Sequence, residues 1–393
     1  MKRKCFLSFF ALMICTLGFA ANDADIALFN AVKARKLDLV NYYVHNTNAN
    51  ANARFEWAEK SMTTFQMALE NKDVNIAKVL IADGNADVNA GWGDEPPIFI
   101  VAREKDSGLT ELLIGSGADV NSTYNGMTPV IYSVMTGENA GPFLHSFENI
   151  AKKYGKRIEW NAIDSEGRNV LHYAVTKGDF GNLNTHGDTS TVEYLLSSGL
   201  ASTTDKDKYG MTPFHMVAAS CNNKLMILFL NAPNGRKAYN IKNSDGYTPI
   251  ALYLANAAKK NVSYTEVIMQ AVSDTSMFRI SDFNFPSTAN TRNGITIICA
   301  DSNDIDSNAE IIRIISENNT SLAELEVKKG IPLLCHAIKN NYSPKIVDAI
   351  LSGYEGDWRS IQQFDGNTAI EIMGTKGTSR KYEQVFAKYG NKY

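Results

Sequence analysis

The sequence predicts an all-α repeat solenoid, in which short helix pairs stack and are joined by turns or hairpins. Three observations predict it. The stretch Lys208–Leu230, KYGMTPFHMVAASCNNKLMILFL, pairs a turn signal with two apolar runs separated by a polar break. The same Gly-x-Thr/Asn pattern recurs at Gly126/Thr128, Gly167/Asn169, Gly210/Thr212, Gly246/Thr248, Gly294/Thr296 and Gly366/Thr368. Counted from Thr63, Pro96, Thr128, Thr212, Thr248, Thr296, Pro332 and Thr368, neighbouring anchors are separated by 33, 32, 36, 36 and 36 residues where no insertion intervenes.

Each part of the unit has a local cause. Thr212 can cap a helix, and Pro213 suits the first turn because its missing N–H would be unsatisfied there anyway. Gly210 supplies the left-handed turn just upstream. Neither apolar run is long enough to bury its face alone, so each unit needs a neighbour. Weaker copies anchor at Ile26, Thr63 and Pro96, and Gly330 with Pro332 fits in GIPLLCHA. Gaps of 41, 43 and 48 residues, from Thr128 to Asn169, Asn169 to Thr212 and Thr248 to Thr296, hold one unit plus an insertion each.

A period near 33 with a TPLHxA-like core resembles the ankyrin-repeat family over essentially all of the chain after its leader, in about ten repeats including degenerate caps. The tails NADVN (Asn85–Asn89) and GADVN (Gly117–Asn121) stand where that family joins a second helix to the next hairpin. Thr-Pro is intact at 128–129, 212–213 and 248–249. Faded terminal copies suit caps, which need a polar outer face.

The first twenty residues are set apart. Lys2, Arg3 and Lys4 precede an apolar core from Cys5 to Leu17, and Gly18 and Ala20 place small residues before a cut at Ala21. That is the pattern of a secretory signal peptide, and the core is shorter than the ~20 apolar residues of a membrane span. The expectation is export by cleavage after Ala20 to the periplasm or exterior. Lys+Arg total 39 against 42 Asp+Glu, and the leader removes three cations, so the remaining chain is mildly acidic. No basic run suggests nucleic acid. Cys221, Cys299 and Cys335, the cysteines after the leader, sit in apolar runs and read as buried thiols.

Along the chain, residues 22–60 read as an N-terminal cap, with Asp25 opening its first helix. Central repeats run over 61–365, and a polar C-terminal cap over 366–393. Insertions fall at 137–142, 178–190 and 273–293. The first two widen helix–helix loops. The third carries Phe278, Ile280, Phe283 and Phe285, whose spacing by two suits short strands.

The sequence offers no catalytic motif, and nothing in it asks for a cofactor or metal. His172 and His215 occupy the repeat's own histidine position, where an imidazole bonds the neighbouring turn's backbone. His186 with Asp179, Asp188 and Ser190 is the one cluster on which a hydrolase or metal-dependent enzyme could be built. The resemblance instead implies a non-catalytic scaffold that binds a protein partner through hairpin tips and a concave groove, or a periplasmic inhibitor of one enzyme; a monomer is expected. Carried over by position, partner contacts are Tyr124, Asn125, Met127, Glu166, Arg168, Lys208, Tyr209, Met211 and Tyr247. Tyr, Met and Arg are enriched at interfaces for their large, adaptable contact area. Trp92 and Trp160 lie near the same hairpins.

Overall fold

A computed structural model describes residues 22–57, 60–90, 95–181, 187–274, 276, 278–285 and 294–390. The fold is an all-α repeat solenoid, and the chain forms two compact units, Met1–Ser133 with Pro142–Ile158 and Val134–Gly141 with Glu159–Tyr393. The leader lies outside the described residues, as do Trp92 and His186.

In the first unit, the pairs Asp23–Lys33/Leu37–Asn46, Thr64–Glu70/Val74–Ala82 and Pro97–Glu104/Ser107–Gly115 stack in order. First helices touch first helices and second helices touch second helices, so each pair buries its neighbour's apolar face. The opening helix begins at Asp23, two residues earlier than its sequence suggests. Asn22 is its cap, and Asp25 completes a capping box from inside the first turn. Arg54–Trp57 and Lys60–Thr63 pair as an antiparallel hairpin, with Phe55 stacked on Phe29 at 4.3 Å.

The NADVN-type tails join successive loops to one another. Asn52 donates from Nδ2 to the Asn85 carbonyl (2.9 Å) and accepts from the Asp87 N–H (2.8 Å). Asn89 does the same toward Gly117 and Asp119, and Asn121 donates to the Arg157 carbonyl. An amide side chain suits this place because one group can donate and accept at once.

The second unit repeats the arrangement through Val170–Thr176/Thr189–Ser198, Pro213–Ser220/Asn223–Asn231, Pro249–Lys260/Thr265–Ser273, Gly294–Ala300/Ile305–Glu317, Leu333–Lys339/Pro344–Leu351 and Ala369–Lys376/Ser379–Gly390. Asn169, Thr212, Thr248 and Thr368 each cap the helix that follows. Phe214 lies flat on Phe229 inside one pair, ring centroids 4.9 Å apart. The last pair is more than a polar cover: Tyr382, Phe386 and Tyr389 are buried, and Phe386 lies 4.1 Å from the Trp358 ring. Cys221, Cys299 and Cys335 are buried free thiols.

Two insertions differ from expectation. Residues 140–142 open the helix Ala140–Lys153, leaving 136–139 as the loop, because proline is tolerated in a first turn. Among its described residues, the phenylalanine-rich insertion makes a 3₁₀ turn, Ile280–Phe283, and no strand. Its backbone bonds locally, Asp282 N–H to Arg279 O at 2.9 Å and Asn284 N–H to Ser281 O at 3.2 Å. Phe283 is fully buried with Phe278 against it, while Phe285 lies 5.6 Å from Tyr247. The Thr248 hydroxyl bonds the Asp282 carbonyl, which docks the insertion on the preceding cap. Burial also pushes the Asp282 carboxyl above its usual range.

Candidate interaction surface on the turns

Four turns of the second unit, those before Asn169, Thr212, Thr248 and Thr368, are closed from five residues upstream of the capping anchor. Asp164 accepts from the N–H groups of Glu166 (2.8 Å) and Arg168 (2.9 Å). Asp207 accepts likewise from Tyr209 (2.9 Å) and Met211 (2.8 Å), and Asn243 from Tyr247 (2.9 Å). The backbones of Asp164, Asp207, Asn243 and Gln363 each donate to the carbonyl four residues on. A short side-chain acceptor suits this Asx-type closure. Sequence reasoning passed over these residues, although an Asp or Asn five positions before Asn169, Thr212 and Thr248 is readable once the anchors are set.

Consecutive turns are also bonded to each other. The Lys208 N–H donates to the Glu166 carbonyl (2.9 Å), the Ser244 N–H to Tyr209 (3.2 Å) and the Phe364 N–H to Gly330 (2.9 Å). The approach is close: a Cβ at Gly210, where φ is +70°, would lie 2.6 Å from the Ser244 nitrogen.

His172 and His215 tie the same layers together. At His215, Nδ1 accepts from the Thr212 N–H (3.2 Å) while Nε2 donates to the Tyr247 carbonyl of the next turn (2.9 Å). His172 repeats this with Asn169 and the Met211 carbonyl. In the first unit Gln66 makes the equivalent pair, accepting from Thr63 N–H (2.7 Å) and donating to the Glu95 carbonyl (2.7 Å). Burial lowers both imidazoles, His215 to about 4. A charged ring would also turn an Nδ1–H against the Thr212 N–H, donor facing donor.

On this frame the nine positions separate. Tyr209 is 63% exposed, with the Lys208 ammonium 5.1 Å from its ring and Lys208 paired to Glu166. Lys208 is exposed and Glu166 half-buried. Met211 and Tyr247 are half-buried, Met211 receiving Asn243 Nδ2 at its sulfur and Tyr247 meeting Phe285. Arg168 is committed to Asp164 (2.8 Å) and covered by Phe180, 3.9 Å from its guanidinium. In the first unit Asn125 is exposed, and Tyr124 packs on Phe99 and Tyr132. Met127 is 9% exposed, a buried side chain beneath the turn. Trp160 is buried as well.

Of the cluster considered for catalysis, Asp188 and Ser190 are described and bonded to each other (2.8 Å), while His186 is outside the described residues. Asp188 caps the helix Thr189–Ser198, accepting from the N–H groups of Ser190, Thr191 and Ala140. Burial acts to raise its carboxyl, but the Thr191 and Ser190 hydroxyls, with the Thr191 and Ala140 N–H groups, hold it below the usual range. Among the described residues, no group of three His, Cys, Asp or Glu side chains could hold a metal, and no helix is long and apolar enough to cross a membrane. A separate charged network in the first unit, Arg103 with Glu70 (2.7 Å) and Glu95 (3.1 Å), with Tyr132 donating to Glu95 (2.9 Å), is internally satisfied.

No family model matches the chain. A putative ankyrin repeat protein of fowlpox virus (strain NVSL) is 26% identical over 139 residues, covering 30% of this chain and 24% of the viral protein. The match thus spans about a quarter of that relative's length. Among solved structures, the ankyrin repeat domain of Bcl-3, described as a unique member of the IkappaB protein family, aligns over 59% of this chain and 95% of that one, with 18% identity and a TM-score of 0.48. The viral match supports the ankyrin-repeat family, whose fold is commonly a protein-interaction scaffold.

Proposed function

We propose that the chain is a non-catalytic interaction scaffold that is exported by its leader, acts outside the cytoplasm as a monomer, and takes a protein partner on the turn tips of its second unit. Lys208 and Tyr209 are the principal contacts, with Glu166, Met211 and Tyr247 beside them. One observation carries this reading: the Tyr209 ring is exposed on a backbone already fixed by Asp207 and by the bond to Ser244. A large side chain held in place loses little entropy on binding, which is what makes an aromatic contact strong. Asp188 is engaged as the cap of the helix Thr189–Ser198, which favours the scaffold reading over an enzyme on the 178–190 insertion.

The test uses protein isolated from the exported fraction of its own cells, whose first residue is expected to be Ala21. Tyr209→Ala with Lys208→Ala should leave the melting temperature unchanged and weaken the captured partner by about 30-fold, the scale of an interface hot spot. Full capture by the folded double variant would refute the assignment, and a retained leader would refute the export.

A further inference from the structure

We propose that Asn125 is a self-modification site, at which the native turn converts its own asparagine to aspartate and isoaspartate. The sequence read Asn125 only as a partner contact, and the turn around it has chemistry of its own.

Tyr124 and Met127 exchange both backbone hydrogen bonds (2.9 and 3.0 Å), leaving Asn125 and Gly126 as a two-residue loop. Their φ values, +51° and +74°, are those of a type I′ turn. Both residues are exposed. Among the described residues, neither the Asn125 side chain nor the Gly126 N–H has a hydrogen-bond partner. A Cβ built at Gly126 would meet nothing within 4 Å, so the turn has room to close a ring.

The step balances without any outside reagent but water. The Gly126 nitrogen attacks Cγ of Asn125, forming an N–Cγ bond. The Cγ–Nδ2 bond breaks, and the amide nitrogen leaves as ammonia carrying the proton that Gly126 gives up. Water then opens the five-membered imide at one of its two carbonyls. Opening at one restores the main chain with an aspartate, and opening at the other sends the main chain through the side-chain carbon. No oxidation or reduction occurs.

A second Asn-Gly pair in the same chain serves as an internal control. Asn234 donates from Nδ2 to the Leu196 carbonyl (3.2 Å) and accepts from Lys237 at Oδ1 (2.8 Å). Gly235 is buried in the helix Pro233–Arg236, where an added Cβ would lie 2.3 Å from the Phe229 carbonyl oxygen. The pair is held at both ends and has no room to cyclise. The sequence dipeptide is identical, so the difference is wholly structural.

Conversion at Asn125 places a new negative charge on a turn tip beside Tyr124. In the isoaspartyl form the extra backbone atom no longer fits a two-residue loop, so the Tyr124–Met127 pairing loosens and uncovers Met127.

The experiment incubates the folded full chain at mildly alkaline pH and maps its peptides by mass, with an isoaspartyl-specific assay. The peptide holding Asn125 should gain about one dalton, in both aspartyl and isoaspartyl forms, severalfold faster than the peptide holding Asn234. Asn125→Ser should abolish the gain at that peptide. In urea both sites should convert at similar rates. An unconverted Asn125 in folded protein whose unfolded form converts would overturn the proposal, as would equal rates at the two sites in the folded chain.

Discussion

His215→Ala is expected to destabilise the second unit by about 3–5 kcal/mol, because it strands the Thr212 N–H and the Tyr247 carbonyl, each worth about 1–3 kcal/mol when left unmet. His215→Gln is expected to cost only about 1 kcal/mol, since the swap is close in size and keeps one acceptor and one donor. The chain already uses that solution at Gln66. The two variants also differ in how they respond to pH. The folded pKa of His215 is depressed from 6.5 to about 4, so the unfolded chain binds the extra proton between those values. Stability is therefore full above about pH 6.5 and is lost as pH falls toward 4, by roughly 3 kcal/mol at 1.4 kcal/mol per unit. His172 is shifted the same way and adds to the loss. Urea unfolding of wild type and His215→Gln across this range checks the claim. The difference between them should be flat above pH 6.5 and swing toward the glutamine variant below it.

Gly210→Ala is expected to cost about 3 kcal/mol, and Gly126→Ala about 1 kcal/mol. Both glycines have positive φ, +70° and +74°, so both substitutions carry the left-handed penalty. Only at Gly210 does the new Cβ also meet backbone, 2.6 Å from the Ser244 nitrogen, and push the neighbouring turn off its bond to Tyr209. Thermal and urea unfolding of the pair measure the difference. Equal costs would mean that the turns are not coupled.

The helix pairs were legible because their signals are local. A capping Thr or Asn two residues after a glycine acts on its own helix, and Thr212, Thr248, Asn169 and Thr368 all do so. The histidine position was equally plain, since His172 and His215 reach one layer along a fixed period. What the sequence hid was direction. Met127 and Met211 follow their glycines in the same way, yet one is buried and the other half-exposed, and Arg168 is roofed by a phenylalanine twelve positions on. Those outcomes depend on how an insertion folds back and on where Asp164 and Asp207 draw the turn in. The insertions were misjudged for a related reason. Spacing by two marks a strand only when a partner strand exists, and Ile280–Phe283 has none among the described residues.

Native-state hydrogen exchange at the Lys208 and Ser244 amides tests the coupling of the turns most directly. Both residues are exposed, and nothing within their own turns requires their N–H groups to be protected. Because each donates to the carbonyl of the preceding turn, the two amides should exchange slowly, in step with the buried helices Val170–Thr176 and Pro213–Ser220. Exchange at the rate of an unstructured peptide would show the turns to be independent and Tyr209 to have no fixed platform.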